Sequence, residues 1–262
     1  MTSSSEQPKI DISHLAKSFD GRTVLSDVSL SVMPGQSLCI IGTSGCGKSV
    51  TLKSILGLIT PDSGSIRVDG VETVGQSRSQ REEMLRKFGM TFQFGALFDS
   101  LSIWENITFR LRQSRSLNRR QAQEKAAEII TKLGLDEAVI HQYPAELSGG
   151  MQKRVALARA IADSPEILLF DEPTSGLDPI TGGVIDKLIV RAVRELGATA
   201  LTISHDMASV RRIADQVAMV HGGRIIWCGP VDQMDDTGIA EVDQFVHGRP
   251  EGPLTSTDVA TT

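Results

Sequence analysis

The sequence predicts an α/β fold with a mostly parallel sheet, an antiparallel lobe of strands at its N-terminus and an inserted helical subdomain. Three observations predict it. Short apolar runs alternate with helical patterns after residue 165, a hairpin pattern precedes residue 33, and strand patterns are missing between about 95 and 165. The 262 residues are 40% hydrophobic and 23% charged, which is typical of a globular protein with a full core. This length fits one large domain or a domain with an appended lobe.

The N-terminal third predicts strands followed by one helix. Residues 1–8 are polar and are expected to be disordered, and the alternation of Ile10-Asp11-Ile12 then begins a strand. Asp20-Gly21 is a turn signal before a second alternating segment, so the two segments predict a hairpin. The apolar run Leu38–Ile41 predicts a buried strand, and a glycine-rich stretch follows it. The helix predicted after that stretch has apolar residues at Leu52, Ile55, Leu56 and Leu58.

The rest of the chain predicts helices first and then alternating strands and helices. In the helical insert, one helix is indicated by Ala122, Ala126, Ile129 and Leu133. Ile167–Phe170 and Ala198–Ile203 predict buried strands, and the helix between them is expected to have the stripe Ile180, Val184, Leu188 and Ala192. His221-Gly222-Gly223 predicts the turn of a closing hairpin, and a short helix is expected at 239–246.

Charge and cysteine content exclude several classes of function. The formal net charge of −5 argues against a general nucleic-acid binder. Residues 230–262 contain seven acidic and one basic side chain, so this tail has a charge of −6 and the remaining chain has +1. The three cysteines have no CxxC spacing, which indicates neither a disulfide framework nor a zinc site. No signal peptide or membrane-spanning run is recognisable, so any membrane role is expected to act through partners.

A phosphate-binding loop is predicted between the buried strand at 38–41 and the helix after it. The segment matches G-x-x-x-x-G-K-[ST] and consists of Gly42, Thr43, Ser44, Gly45, Cys46, Gly47, Lys48 and Ser49. Glycines let successive backbone N–H groups turn toward phosphates, and the helix dipole adds positive potential there. Lys48 is expected to contact the β- and γ-phosphates, and the Ser49 hydroxyl to bind Mg²⁺. A kinase or a GTPase also has such a loop.

Two carboxylates follow the strand at 167–170, where parallel strands expose their carboxyl ends. Asp171 is expected to hold Mg²⁺, directly or through water, and Glu172 to polarise the attacking water as general base. The alternative is that one of them only caps the next helix.

A second anion site is predicted at Leu147-Ser148-Gly149-Gly150-Met151-Gln152, where a serine and two glycines open a helix. With this motif the sequence resembles the ATP-binding subunits of ATP-binding cassette (ABC) transporters over residues 9 to about 228. The resemblance implies a P-loop NTPase with a RecA-like parallel core and a helical subdomain at about 95–165. It also implies a head-to-tail homodimer in which Ser148, Gly149 and Gly150 of one copy close over the ATP of the other.

The resemblance assigns roles to four further residues. Phe19 fits the aromatic side chain that stacks on adenine, although a core position is an equal alternative. Gln93 fits the glutamine that touches Mg²⁺ and the attacking water, and His205 fits the histidine that contacts the γ-phosphate. Asp178 fits the loop that crosses the dimer interface. Met151 replaces the usual glutamine, and Cys46 inside the phosphate loop is expected to be a small residue that faces away from the nucleotide.

Finer features resemble the Mla-type ATPases, which transport phospholipids with MCE-domain proteins. They are the segment Phe94–Asp99 after Gln93, the segment Asp178–Thr181, and the tail with its segment Val242–Gly248. The resemblance implies that residues 229–262 form an acidic extension that contacts the dimer partner. Composition alone would make this tail a disordered end.

We therefore predict a Mg²⁺-dependent ATPase subunit that powers lipid transport. Its expected partners are a second copy, a membrane permease and an MCE-domain protein, and its expected location is the cytoplasmic face of the bacterial inner membrane. One alternative is the ATPase of an importer for a polar solute such as an amino acid. Another is an ABC protein of translation or DNA repair, which the single cassette without a long coiled coil disfavours.

Overall fold

The computed structural model describes residues 7–93, 95–115 and 117–255, with the backbone alone at 114 and 115. Residues 1–6 of the expected disordered N-terminus, Phe94 of the segment after Gln93, and residues 256–262 of the tail lie outside the described residues. Within the described residues, no helix is both long enough and apolar enough to cross a membrane.

Strands are concentrated in residues 10–91 and 167–230, and helices occupy most of the chain between these two stretches. The strands are β1 (Ile10–Phe19), β2 (Arg22–Val32), β3 (Ser37–Ile41), β4 (Ser63–Val68), β5 (Val71–Glu72), β6 (Phe88–Thr91), β7 (Ile167–Asp171), β8 (Thr199–Ile203), β9 (Gln216–His221) and β10 (Arg224–Pro230). The α-helices are α1 (Lys48–Ile55), α2 (Arg78–Leu85), α3 (Ile103–Arg115), α4 (Arg119–Lys132), α5 (Gly149–Ile161), α6 (Pro179–Leu196), α7 (Met207–Ile213) and α8 (Ala240–His247). Short 3₁₀ turns lie at Glu137–His141, Pro144–Glu146 and Val231–Gln233.

The described chain divides into two compact units. The first contains residues 7–81 and 201–255, and the second contains residues 82–200. Helix α2 and strand β8 each contribute residues to both units.

The first unit combines antiparallel and parallel strand pairs. Its strand order is β5-β4-β1-β2-β10-β9-β3, with β1 antiparallel to both neighbours and β9 parallel to β3. The predicted hairpins β1–β2 and β9–β10 are confirmed. Strand β10 pairs in parallel with β2 through Arg224 and Asp27, so the closing hairpin joins the N-terminal lobe to the strand that leads into the phosphate loop.

The first helix of this unit is shorter than its apolar pattern predicts. Leu52, Ile55 and Leu56 are buried as expected, but Leu58 is 60% exposed. Helix α1 ends at Ile55, and Gly57 with φ of +66° turns the chain away before Leu58 can reach the helix face.

The second unit packs helices around two parallel strands. Strand β6 pairs with β7 from Phe88 opposite Ile167 to Thr91 opposite Phe170, and all five residues of β7 are buried. Helix α5 crosses β6 so closely that a Cβ at Gly89 would lie 2.1 Å from the carbonyl oxygen of Ala160. The stripe predicted on α4 is confirmed, since its four apolar side chains are buried.

The stripe predicted on α6 is wrong at its N-terminal end. Ile180 is 83% exposed and Val184 is 38% exposed. The buried face is formed by Gly182, Ile185, Asp186, Ile189, Ala192 and Val193. The predicted residues are spaced four apart, so on the helix they form a row that lies beside the buried face. Packing against α5, and not hydrophobicity alone, decides which residues of α6 are covered.

The acidic tail is folded at least to residue 255. The helix predicted at 239–246 is confirmed as α8, and it ends at Gly248 in the left-handed conformation. Gln244 of this helix is buried and bonds to the segment that follows. Arg211 of α7 binds both carboxylate oxygens of Asp235 at 2.7 Å, which fastens the start of the tail to the same unit.

Candidate functional site

The phosphate loop of the first unit has a backbone that only glycine can supply at two positions. Gly42 and Gly47 have φ of +144° and +106°. A Cβ at Gly42 would lie 2.3 Å from the carbonyl oxygen of Val220, and one at Gly47 would lie 2.4 Å from Leu25 Cδ2. The loop is therefore compressed against β9 and β2, and Thr43, Ser44 and Gly45 remain partly or fully exposed.

Lys48 folds back over the loop that precedes it. It is buried, and its ammonium donates to the carbonyl oxygens of Gly42 at 2.7 Å and Thr43 at 2.9 Å. The cap of α1 is Gly47, which offers no side-chain acceptor to the first N–H groups of the helix. Ser49 is the second residue of α1. An ammonium and uncapped helix N–H groups at one loop fit a polyphosphate.

The Cys46 Sγ lies 3.9 Å from the Lys48 ammonium. Burial raises the pKa of its thiol, and the charge of Lys48 acts in the opposite direction.

His205 is placed beside the strand that enters the phosphate loop. It is exposed and follows β8, where the backbone N–H of Ser204 donates to the carbonyl oxygen of Ile40 at 3.3 Å. The next residue, Asp206, caps α7 by accepting from Ala208 N–H at 2.9 Å. The first unit thus brings His205 to the end of β3.

Phe19 ends β1 and is exposed, not a core residue. Its side chain is 40% exposed, and the Lys17 ammonium lies 5.3 Å from the ring centre. An exposed aromatic face suits stacking against a planar ligand.

In the second unit, Gln93, Asp171 and Glu172 follow the carboxyl ends of two paired strands. Asp171 ends β7 and is buried, and Gln93 lies two residues after β6. Glu172 has φ of +52°, a left-handed conformation that is costly for a residue with a side chain. Gln93 Nε2 lies 3.5 Å from Ser175 Oγ, and Ser175 N–H donates to the Glu172 carbonyl oxygen at 3.2 Å.

Neither carboxylate caps the following helix. The cap of α6 is Asp178, which accepts from Ile180 and Thr181 N–H at 3.0 Å each. Hydrogen bonding to Thr181 holds the pKa of Asp178 below its ordinary value.

Two helix N-termini of the second unit border one open hollow of about 420 Å³. Ser148 caps α5 by accepting from Met151 N–H, and Asp178 caps α6 on the other side. A Cβ at Gly150 would lie 2.8 Å from Thr181 Cγ2, so glycine is needed for this approach. The hollow is lined by Ser148, Gly149, Gly150, Met151, Arg154, Gly176, Leu177, Asp178 and Thr181. Two positive helix ends and an arginine make it suited to an anion.

Sequence reasoning missed Lys153, which lies one turn into α5. Its ammonium donates to the carbonyl oxygens of Gln93 and Glu172. The only signal in the sequence is a lysine just before the apolar run Val155–Ala158, on a helix that has no acidic residue.

Comparison with known proteins gives one consistent family. Residues 25–175 match the family described as ABC transporter. The chain is 36% identical to the probable ribonucleotide transport ATP-binding protein mkl of Mycobacterium tuberculosis, over 94% of this chain and 68% of that protein. It is also 36% identical to the intermembrane phospholipid transport ATP-binding protein MlaF of Haemophilus influenzae, over 95% of this chain and 94% of MlaF.

The chain is also similar to a protein of amino-acid import and to a cassette whose structure has been solved. The methionine import ATP-binding protein MetN of Carboxydothermus hydrogenoformans is 42% identical over 79% of this chain and 61% of MetN. The ATP-binding cassette MJ0796, solved as a dimer bound to ADP and Pi, superposes with a TM-score of 0.79 at 29% identity, over 85% of this chain and 98% of that one.

Proposed function

Because the chain belongs to the ABC transporter family and has the fold of its ATP-binding subunits, we propose that it hydrolyses ATP to power lipid transport. The observation that best supports ATP hydrolysis is the cluster of Gln93, Ser175 and Glu172 near the ends of β6 and β7. Ser175 links the Gln93 side chain to the Glu172 backbone, so the cluster joins a residue with an amide to a residue with a carboxylate, the two groups that would position an attacking water.

The nucleotide is assigned to residues of the first unit. Backbone N–H groups of this loop and the Lys48 ammonium bind the phosphates, because α1 begins at Gly47 without a side-chain cap and Lys48 is a buried cation. Phe19 stacks on the adenine with its exposed ring. His205, at the end of the strand beside β3, contacts the γ-phosphate.

In the second unit, Mg²⁺ is assigned to the Gln93 amide oxygen and Asp171, and the Ser49 hydroxyl of the first unit keeps the magnesium role that its sequence motif predicts. These are oxygen ligands, which this ion prefers, and Asp171 is a buried carboxylate. Among the described residues, no three His, Cys, Asp or Glu side chains cluster in a way that would hold a metal ion. When bound, Mg²⁺ neutralises phosphate charge.

Glu172 acts as the general base. Its backbone has the left-handed conformation, and the Ser175 N–H donates to its carbonyl oxygen at 3.2 Å, so the turn fixes the backbone from which the carboxylate extends. Gln93 orients the same water through its amide group.

Two copies of the chain are needed for the reaction in this proposal. The hollow between the N-termini of α5 and α6 receives the ATP phosphates of a second copy, since its helix dipoles and Arg154 favour an anion and Ser148 is exposed there. MJ0796, the cassette that superposes on this chain, is a dimer. We assign the tail from residue 229 to the dimer contact.

The proposed cargo is a lipid, in the first place a phospholipid. MlaF, described as an intermembrane phospholipid transport protein, matches almost end to end in both chains. The partners in this proposal are a membrane permease and an MCE-domain protein, with the ATPase on the cytoplasmic face of the inner membrane. MetN, described as a methionine import ATP-binding protein, has a higher identity to this chain than MlaF has, but over a shorter stretch. This likeness makes a polar solute the second candidate for the cargo.

The test of hydrolysis is Glu172→Gln. We expect kcat to fall by roughly 100-fold or more, because the amide cannot accept a proton. The variant should still bind ATP and accumulate as an ATP-bound dimer in size-exclusion chromatography. Glu195→Gln is the matched control, since Glu195 is an exposed residue of α6 paired with Arg191. Undiminished hydrolysis by Glu172→Gln would remove Glu172 from the reaction.

The lipid assignment is tested by purifying the native complex and identifying its components. Purification from membranes in mild detergent should recover a permease, an MCE-domain protein and bound lipid, identified by mass spectrometry. Recovery of a periplasmic amino-acid receptor instead would overturn the lipid assignment in favour of the polar solute.

A further inference from the structure

Lys153 connects helix α5 to both residues that the proposed reaction uses to handle water. Helix α5 begins at the Ser148 cap, which borders the hollow assigned to a second copy's ATP. One turn later, the Lys153 ammonium donates to the carbonyl oxygen of Gln93 and, at 3.4 Å, to that of Glu172. One side chain therefore reaches two loops that are distant in sequence.

The two carbonyl groups belong to a closed set of contacts. Ser175 N–H donates to the same Glu172 oxygen at 3.2 Å, and Ser175 Oγ lies 3.5 Å from Gln93 Nε2. Lys153 thus fixes the backbone of Gln93 and Glu172, and Ser175 links the Gln93 side chain to the Glu172 turn. Because Glu172 has a strained left-handed backbone, its position depends on such contacts.

Lysine is well suited to this place. An ammonium has three donors and no acceptor, so it can serve two carbonyl oxygens, and charge makes these bonds stronger than neutral ones. Its stem passes a small cavity of about 10 Å³ with apolar neighbours that include Ala156, Leu157 and Phe170. Burial lowers the pKa of Lys153, and the charges of Glu172 and Asp171 act against that shift.

We propose that Lys153 is a positioning residue for ATP hydrolysis. It ties helix α5, which begins after the Ser148 cap, to the carbonyl groups of Gln93 and Glu172, and thereby aligns the Glu172 carboxylate and the Gln93 amide. The inference rests on the proposed function, since it needs Glu172 and Gln93 to act on water. It adds a residue that acts through the backbone of Gln93 and Glu172.

The test is Lys153→Met in the full chain. Methionine keeps an unbranched apolar stem beside the cavity but cannot donate to either carbonyl oxygen. We expect kcat to fall by roughly tenfold to 100-fold, as for loss of a charge-assisted hydrogen bond, while KM for ATP stays within about threefold. ATP-bound dimers should still accumulate, and the melting temperature should remain within about 3 °C of wild type. Lys153→Arg, which keeps charge and donors, should restore kcat to within about threefold.

Lys132→Met is the matched control, because Lys132 is an exposed lysine of α4 paired with Glu128, and its kcat should equal that of wild type. A kcat for Lys153→Met within about threefold of wild type overturns the inference, as does a rise in KM that accounts for the whole loss. A kcat for Lys153→Arg as low as that of Lys153→Met also overturns it. Should Lys153→Met lose stability, the Arg variant decides by the same criterion. Failure of the proposed function is distinguishable, since it would leave wild-type protein without ATPase activity or Glu172→Gln fully active.

Discussion

Replacing Gln244 with alanine should release the end of the described tail. Gln244 Nε2 donates to the Arg249 carbonyl oxygen at 3.2 Å and to Thr255 Oγ1 at 3.3 Å, and its Oε1 accepts from Leu254 N–H at 2.8 Å. The side chain is buried on the inner face of α8, so residues 249–255 fold around it. Alanine removes all three hydrogen bonds at once.

The size of the effect follows from these bonds. Each contributes a net ~1 kcal/mol, so their loss costs about 3 kcal/mol of local stability. Since about 1.4 kcal/mol corresponds to a tenfold change, segment 249–255 should open on the order of 100-fold more often. The exposed ion pair between Arg249 and Asp243 remains and adds little.

Hydrogen exchange measured by mass spectrometry on a peptide covering 249–255 reads this opening directly. Gln244→Ala should lose protection there, whereas Gln233→Ala, which changes an exposed glutamine of the same unit, should not. Gly252→Ala should have the same effect as Gln244→Ala, because its Cβ would lie 2.5 Å from Gln244 Cδ and Oε1. Protection within about threefold of wild type in both variants would refute the anchoring role of Gln244.

Two further predictions concern stability in the second unit. Gly89→Ala should lower the free energy of unfolding by ~2 kcal/mol or more, because its Cβ would meet the Ala160 carbonyl oxygen at 2.1 Å; an unchanged urea midpoint would contradict this. Hydrogen bonds from Lys132 and Lys125 lower the pKa of Glu128 from its ordinary 4.5 to about 2. The ionised carboxylate therefore stabilises the fold above pH 4.5, and this contribution is lost as pH falls toward 2. Glu128 is half exposed, so Glu128→Gln should cost under ~1 kcal/mol in urea unfolding at pH 6 and nothing near pH 2; equal costs at both would disprove the assignment.

Local patterns predicted the hairpins, the buried strands and the fold class. Strands β3 and β7 each contain an unbroken apolar run, because both of their faces are covered. Such a run can be recognised as a buried strand from the sequence without knowing which strands lie beside it. The phosphate loop was predictable for a similar reason, since its glycines and its lysine are adjacent in sequence. The placements of Leu58 and Ile180 were not predictable, because each depends on where a helix ends or which of its rows is covered.

The sequence by itself determined the α/β fold, the phosphate loop, the carboxylates after β7 and the serine and glycines that open α5. Each depends on neighbouring residues or on a period of two or 3.6 residues, which the chain carries locally. Only the tertiary structure decided that Lys153 meets the carbonyl groups of Gln93 and Glu172, and that Gln244 anchors the tail. The physical reason differs for these contacts. Their partners are mainly backbone carbonyl and N–H groups, which nearly every residue possesses, so the partners leave no signature in the sequence until folding brings them together.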